Sequence, residues 1–198
     1  PKDSRVYAGV DIGSGGASGH PAAIVFVAVS PDFKKGRVFK GWRGDQIETT
    51  AKDVFDKYIE LRGNMKVEVA YYDWQSKDFF VIASRSGEAF VPADKSHDSG
   101  ESILNALFKN EMLHIYEDEE LKKLSGELTV LNKATEKRKA KDDFTDALRY
   151  ACTKVSWDWE AITSDKPKEP KIPLDPKKEE IRMRREAFMN PTEDTFSV

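Results

Sequence analysis

Aspartates at the ends of two strands and on one face of a late helix are the residues of this chain whose types and spacing could do chemistry. Asp11 closes the run RVYAGVDI and precedes the glycine-rich GSGGASGHP. Such a carboxylate can be turned into a cleft close to backbone amides, or can simply form a turn beside flexible glycines. Asp73 closes KVEVAYYD; a carboxylate ending a buried strand is costly unless paired, hydrogen-bonded or metal-bound, and the competing reading is a cap for the next helix. In KDDFTDALRYA, Asp143 and Asp146 are three residues apart and share one helix face. Asp142 reads as the N-cap of that helix, where acidic residues also suit the dipole. Two strand-end aspartates and one or two on a helix make a site for two divalent cations. Held about 3.5–4 Å apart, such ions activate a water and stabilise the leaving oxygen of a phosphodiester.

The rest of the composition narrows the metal. The single cysteine, Cys152, excludes internal disulfides and cysteine-cluster zinc sites, and a reducing compartment is the simplest setting. His20, His97 and His114 have no ligand spacing, so carboxylates must do most of the holding, which suits Mg2+ or Mn2+. A net charge of −3 argues against a surface that grips nucleic acid everywhere, while leaving room for a local basic patch. No apolar stretch is long enough to span a bilayer and no signal peptide opens the chain.

The elements that must position these carboxylates follow from periodicity. Arg5–Ile12, Ala22–Ser30 and Arg37–Arg43 read as three strands joined by short loops, an antiparallel meander. Ile47–Leu61 has helical spacing and stops at Gly63. Lys66–Asp73 reads as a strand lying beside the first. A helix over Lys77–Ser84, the short strand EAFVPA, a helix over Ser102–Phe108, a strand over Leu113–Tyr116 and a helical piece over Glu119–Leu124 come next. The last strong helix starts near Asp142. The expected class is α/β: a mixed sheet, antiparallel meander then parallel strands, with helices on both faces. Residues 1–163 form the expected domain; 164–198 read as a Pro/Lys-rich linker, a short charged helix and a polar end. Trp74 reads as a core aromatic.

GVDIGSGG with AAIVFVAV, then VEVAYYD, then DDFTDALRYA, resembles the ordered motifs of the nuclease domain of viral large terminases, of the RNase H-like superfamily. The resemblance runs from about Arg5 to Lys154 and is most specific in the closing acidic pair followed by D-A-L-x-Y-A. It implies an endonuclease cutting double-stranded concatemeric viral DNA during genome packaging, with little sequence specificity and two divalent ions, Mg2+ or Mn2+. It implies Asp11 and Asp73 as metal ligands, Asp146 as the third, and Asp143 as a second or alternating one; some relatives carry histidine at the Asp143 position. The basic cluster Lys133, Lys137, Arg138, Lys139 and Lys141, placed where the family carries a flap, is a candidate DNA grip or a solvated loop. Lys95 and His97 are further candidates. No G-x-x-x-x-G-K-S/T phosphate loop occurs and the chain opens on Pro1, so an N-terminal packaging ATPase is expected elsewhere in a longer polypeptide. Portal protein and small terminase subunit are the implied partners, with Ile181–Phe188 as a portal-docking helix, and host cytoplasm the implied location. Three rivals stand beside this reading. They are a Holliday-junction resolvase or transposase-like nuclease of the same fold, an actin-like or sugar-kinase ATPase fragment suggested by VDIGSGG, and a binding module that has lost its metal.

Overall fold

The computed structural model describes residues 3–13, 20–44, 49–131 and 142–160. The chain divides into two units, Pro1–Trp159 and Glu160–Val198, and the described residues fall in the first apart from Glu160. The expected tail boundary, the portal-docking helix and the basic cluster at Lys133, Lys137, Arg138, Lys139 and Lys141 lie outside the described residues.

β1 (Arg5–Asp11), β2 (Ala23–Val29) and β3 (Gly36–Arg43) form the antiparallel meander. The middles of β1 and β2 are apolar on both faces, so each must be covered from both sides. α1 (Ala51–Arg62) leads to β4 (Val69–Tyr72), α2 (Lys77–Arg85), β5 (Phe90–Pro92), α3 (His97–Lys109), β6 (Leu113–Ile115), α4 (Glu119–Leu131) and α5 (Asp143–Thr153). The six strands lie in the order β5-β4-β1-β2-β3-β6. β4 joins β1 in parallel, β5 joins β4 in parallel, and β6 closes the far edge in parallel with β3.

Strand alternation decides which residues meet which helix. Ala8, Val10, Ile24, Phe26, Ala70 and Tyr72 pack with Val54 and Tyr58 of α1 and Phe79 and Ala83 of α2. Each large side chain so buried contributes about 1.5–3 kcal/mol. The alternate residues face α5, whose Phe144, Ala147, Leu148, Ala151 and Cys152 are all buried. α5 presses so closely on β1 that a Cβ at Gly9 would sit 1.8 Å from the Ala147 carbonyl oxygen. Gly41 makes the same concession on β3 to Phe144 and Leu121 of α4. Helices therefore cover both faces of a mixed sheet, the RNase H-like arrangement.

Boundaries moved for local reasons. α1 starts at Ala51 because Thr50 and Asp53 close a reciprocal capping box; Ile47, expected at its start, lies outside the described residues. α3 starts at His97, five residues before the expected Ser102, since Gly100 sits inside the helix rather than ending a loop. α4 continues through Gly126 to Leu131 and so acquires Glu127. Trp74 is 55% exposed and no core aromatic; it follows the end of β4, outside the sheet's cover.

Candidate metal centre

β1 and β4 run parallel with Val10 opposite Tyr72, and the Asp73 amide donates to the Val10 carbonyl at 3.1 Å. Asp11 and Asp73 therefore stand side by side at adjacent strand ends. By alternation both follow Gly9 and Tyr71 to the α5 face, away from Val10 and Tyr72. Asp11 Oδ1 accepts from the Gly13 amide at 3.1 Å, a turn that needs glycine: φ is +69° and a Cβ would meet the His20 carbonyl oxygen at 2.3 Å. The turn-forming reading of Asp11 thus holds. Asp73 Oδ1 accepts from the Gln75 amide and Oδ2 from Lys95 Nζ, both at 2.9 Å. It does not cap α2, whose cap is Ser76.

α5 supplies the opposite wall. Asp143, 2% exposed, accepts from Arg43 Nη2 at 3.3 Å and lies 3.0 Å from His20 Nδ1. Asp146 Oδ1 takes Nε and Nη2 of Arg149 at 3.2 and 3.0 Å. Asp142 stands at the N-cap position but makes no side-chain cap bond. The cap comes instead from Glu127 of α4, which accepts from the Thr145 amide at 2.8 Å and its hydroxyl at 3.1 Å. Arg43 lies between the two acids, with Nε 3.6 Å from Glu127 Oε1.

The charges do not balance. Asp11, Asp73, Glu127, Asp142, Asp143 and Asp146 meet the fixed cations Arg43, Lys95 and Arg149, leaving a deficit of three positive charges among the described residues, before any charge on His20. Asp11 bears the consequence. Burial first, then the charges of Asp146, Asp143 and Asp73, push its carboxyl up to about 7 against the single Gly13 N–H that opposes them. Burial and the same α5 neighbours raise Asp142, and burial raises Glu127 against the Thr145 donors and Arg43. A half-buried carboxyl with one hydrogen bond and three anionic neighbours, in a set made only of oxygen donors, fits a hard dication. Among the described residues, His20, Asp142 and Asp143 are the one set of three with a ligand atom from each all within 4.8 Å of one another.

Among solved structures, the chain matches the large terminase of a thermophilic bacteriophage with a TM-score of 0.64 at 13% identity, over 79% of this chain and 41% of that one. It matches the nuclease domain of the P22 large terminase with a TM-score of 0.59 at 17% identity, over 76% and 80% of the two chains. This chain has the large-terminase nuclease fold. The large-terminase nuclease domain of bacteriophage SPP1, solved with bound Mn, matches with a TM-score of 0.50 at 16% identity, over 74% and 84%. The chain spans about two fifths of the thermophilic phage terminase and most of the two isolated nuclease domains. No family model matches it, and no curated protein matches its sequence.

On this terminase nuclease fold, Asp11 stands within electrostatic reach of Asp73, Asp143 and Asp146, and Lys95 pairs with Asp73. His97 heads α3 and is exposed. Sequence reasoning missed His20, Arg43, Glu127 and Arg149. Only Arg149 carried a usable signal, standing three residues after Asp146 on the same helix. His20 and Arg43 reach Asp143 across 100 residues of sequence or more.

Proposed function

We propose that this chain is the metal-dependent endonuclease domain of a large terminase, cutting double-stranded DNA during viral genome packaging. The observation that carries the proposal is the placing of Asp11 and Asp73 side by side at the ends of β1 and β4, facing α5 with its acidic first turn. The match to terminase nuclease domains, one of which holds Mn, supports the same reading.

In this account Asp11, Asp73, Asp146 and Asp143 hold two divalent cations, Mg2+ or Mn2+. When bound, such ions supply Lewis-acid activation of water and charge stabilisation at the phosphate. The chain's own residues do the positioning. The Gly13 amide orients Asp11, the Gln75 amide orients Asp73, and Arg149 orients Asp146. Glu127 and Arg43 hold the first turn of α5, and with it Asp143, against β3. Lys95, partly exposed beside Asp73, is placed to take a phosphate oxygen of the DNA. The basic run Lys133, Lys137, Arg138, Lys139 and Lys141 supplies further phosphate contacts. Such contacts carry no base information, so cutting has little sequence preference. The packaging ATPase, portal and small terminase subunit are the partners in the host cytoplasm.

The test is cleavage of supercoiled plasmid by the purified chain in Mn2+, Mg2+ or EDTA, compared with Asp73→Ala. Cutting that needs the metal and disappears in the folded variant supports the proposal. Cutting that persists in EDTA, or in the variant, overturns it.

A further inference from the structure

Arg149 is the only buried cation among the described residues, at 1% exposure. Stability alone gives a poor account of it, because an apolar side chain of similar volume fills such a place at least as well. Its four hydrogen bonds run in two directions. Nε and Nη2 converge on Oδ1 of Asp146, which fixes the carboxylate's rotation and leaves Oδ2 with no hydrogen-bond partner among the described residues. Nη1 reaches the other way, to the carbonyl oxygens of Asp94 at 3.5 Å and Ser96 at 3.4 Å. Between those two residues stands Lys95, whose Nζ meets Asp73 Oδ2 at 2.9 Å. The contacts close a path from Asp146 on α5, through Arg149 and the 94–96 segment, to Asp73 at the end of β4.

α3 is shaped around this guanidinium. A Cβ at Gly100 would lie 2.5 Å from Arg149 Cδ and 2.6 Å from Cγ. A glycine within a helix is unfavourable in itself, and here, near the start of α3, it opens the space through which the Arg149 side chain passes. The guanidinium carbon lies 5.0 Å from the Tyr150 ring centroid, which adds a second restraint.

We propose that Arg149 is a positioning residue that sets Asp146 and Asp73 in register with each other, with Gly100 as the part of α3 that admits it. The inference rests on the metal reading of the centre. It makes a prediction of opposite sign to simple electrostatics. A guanidinium beside a ligand repels a dication, so if charge were its whole effect, removing or displacing it would tighten metal binding. If it positions the ligands, disturbing its bonds weakens binding even where the positive charge is kept, in the manner of partners that orient metal ligands.

The experiment is calorimetric titration of the full chain with MnCl2 alone, for wild type, Arg149→Lys and Gly100→Ala, with Val54→Ala on the far face of the sheet as a destabilised control. Arg149→Lys keeps the charge but gives up the paired bonds to Asp146 and those to the segment. Gly100→Ala keeps the guanidinium itself and displaces it. The expected result is a loss of Mn2+ affinity of about 10- to 100-fold in Arg149→Lys and a smaller loss in Gly100→Ala, with wild-type affinity in Val54→Ala. Should Arg149→Lys fail to fold, Gly100→Ala decides. Wild-type or tighter Mn2+ binding in a folded variant, or an equal loss in Val54→Ala, overturns the positioning role. A wild-type chain that binds no Mn2+ overturns the metal reading itself, and this inference with it.

Discussion

Asp11→Asn is expected to make the metal-free protein more stable at pH 8. The folded chain must there carry Asp11 ionised although its carboxyl has been raised from 3.8 to about 7. At about 1.4 kcal/mol per pH unit, that ionisation costs the folded state no more than about 4 kcal/mol relative to the unfolded chain. Water reaching the half-buried group reduces the figure to about 1–3 kcal/mol. The sign follows from proton binding. Between about pH 4 and 7 the folded state keeps a proton that the unfolded state has lost, so stability is full below pH 4 and declines as pH rises to about 7. Asparagine keeps an oxygen for the Gly13 amide and does not titrate. Urea unfolding in EDTA at pH 4.5 and pH 8 reads the effect: the variant gains on wild type at pH 8 and much less at pH 4.5. An equal difference between the two proteins at both pH values would refute the reasoning, because Asp11 would then not be the strained group.

Arg43→Ala leaves Asp143 and Glu127 buried without their shared cation, and a loss of about 3 kcal/mol is expected in urea unfolding. Gly9→Ala drives a methyl into the α5 backbone, 1.8 Å from the Ala147 oxygen; neither side can yield, so a loss of about 3 kcal/mol or more follows, seen as a collapse of the thermal transition. Lys95→Ala removes one phosphate contact, and DNA affinity measured in Ca2+ by fluorescence anisotropy is expected to lose about one from its log–log salt slope. An unchanged slope would remove Lys95 from the DNA interface.

The meander was legible because β1 and β2 are apolar on both faces and end at glycine or turn residues. Asp11 and Asp73 were legible as a pair because each closes such a run, and alternation sends both to the same face. What the sequence hides is contact made across the fold. The helix expected from Ser102 starts earlier, and the use of Gly100 inside it is visible only with the Arg149 side chain that packs where a Cβ would stand. Asp142 reads as a helix cap until Glu127, on another helix, supplies the cap instead. His20 follows a glycine-rich run with no ligand spacing, yet it stands 3.0 Å from Asp143. Trp74 adjoins a strand-end aspartate and reads as core, but the strand has ended and the ring is left exposed.

On the proposed reading, the carboxylates at the ends of β1 and β4 and on α5 form the metal centre. Anomalous scattering from Mn2+-soaked crystals tests it directly. Manganese is expected between Asp11 and Asp73 on one side and Asp146, with or without Asp143, on the other. Manganese found only at the His20, Asp142 and Asp143 grouping, or none near Asp11, would contradict it.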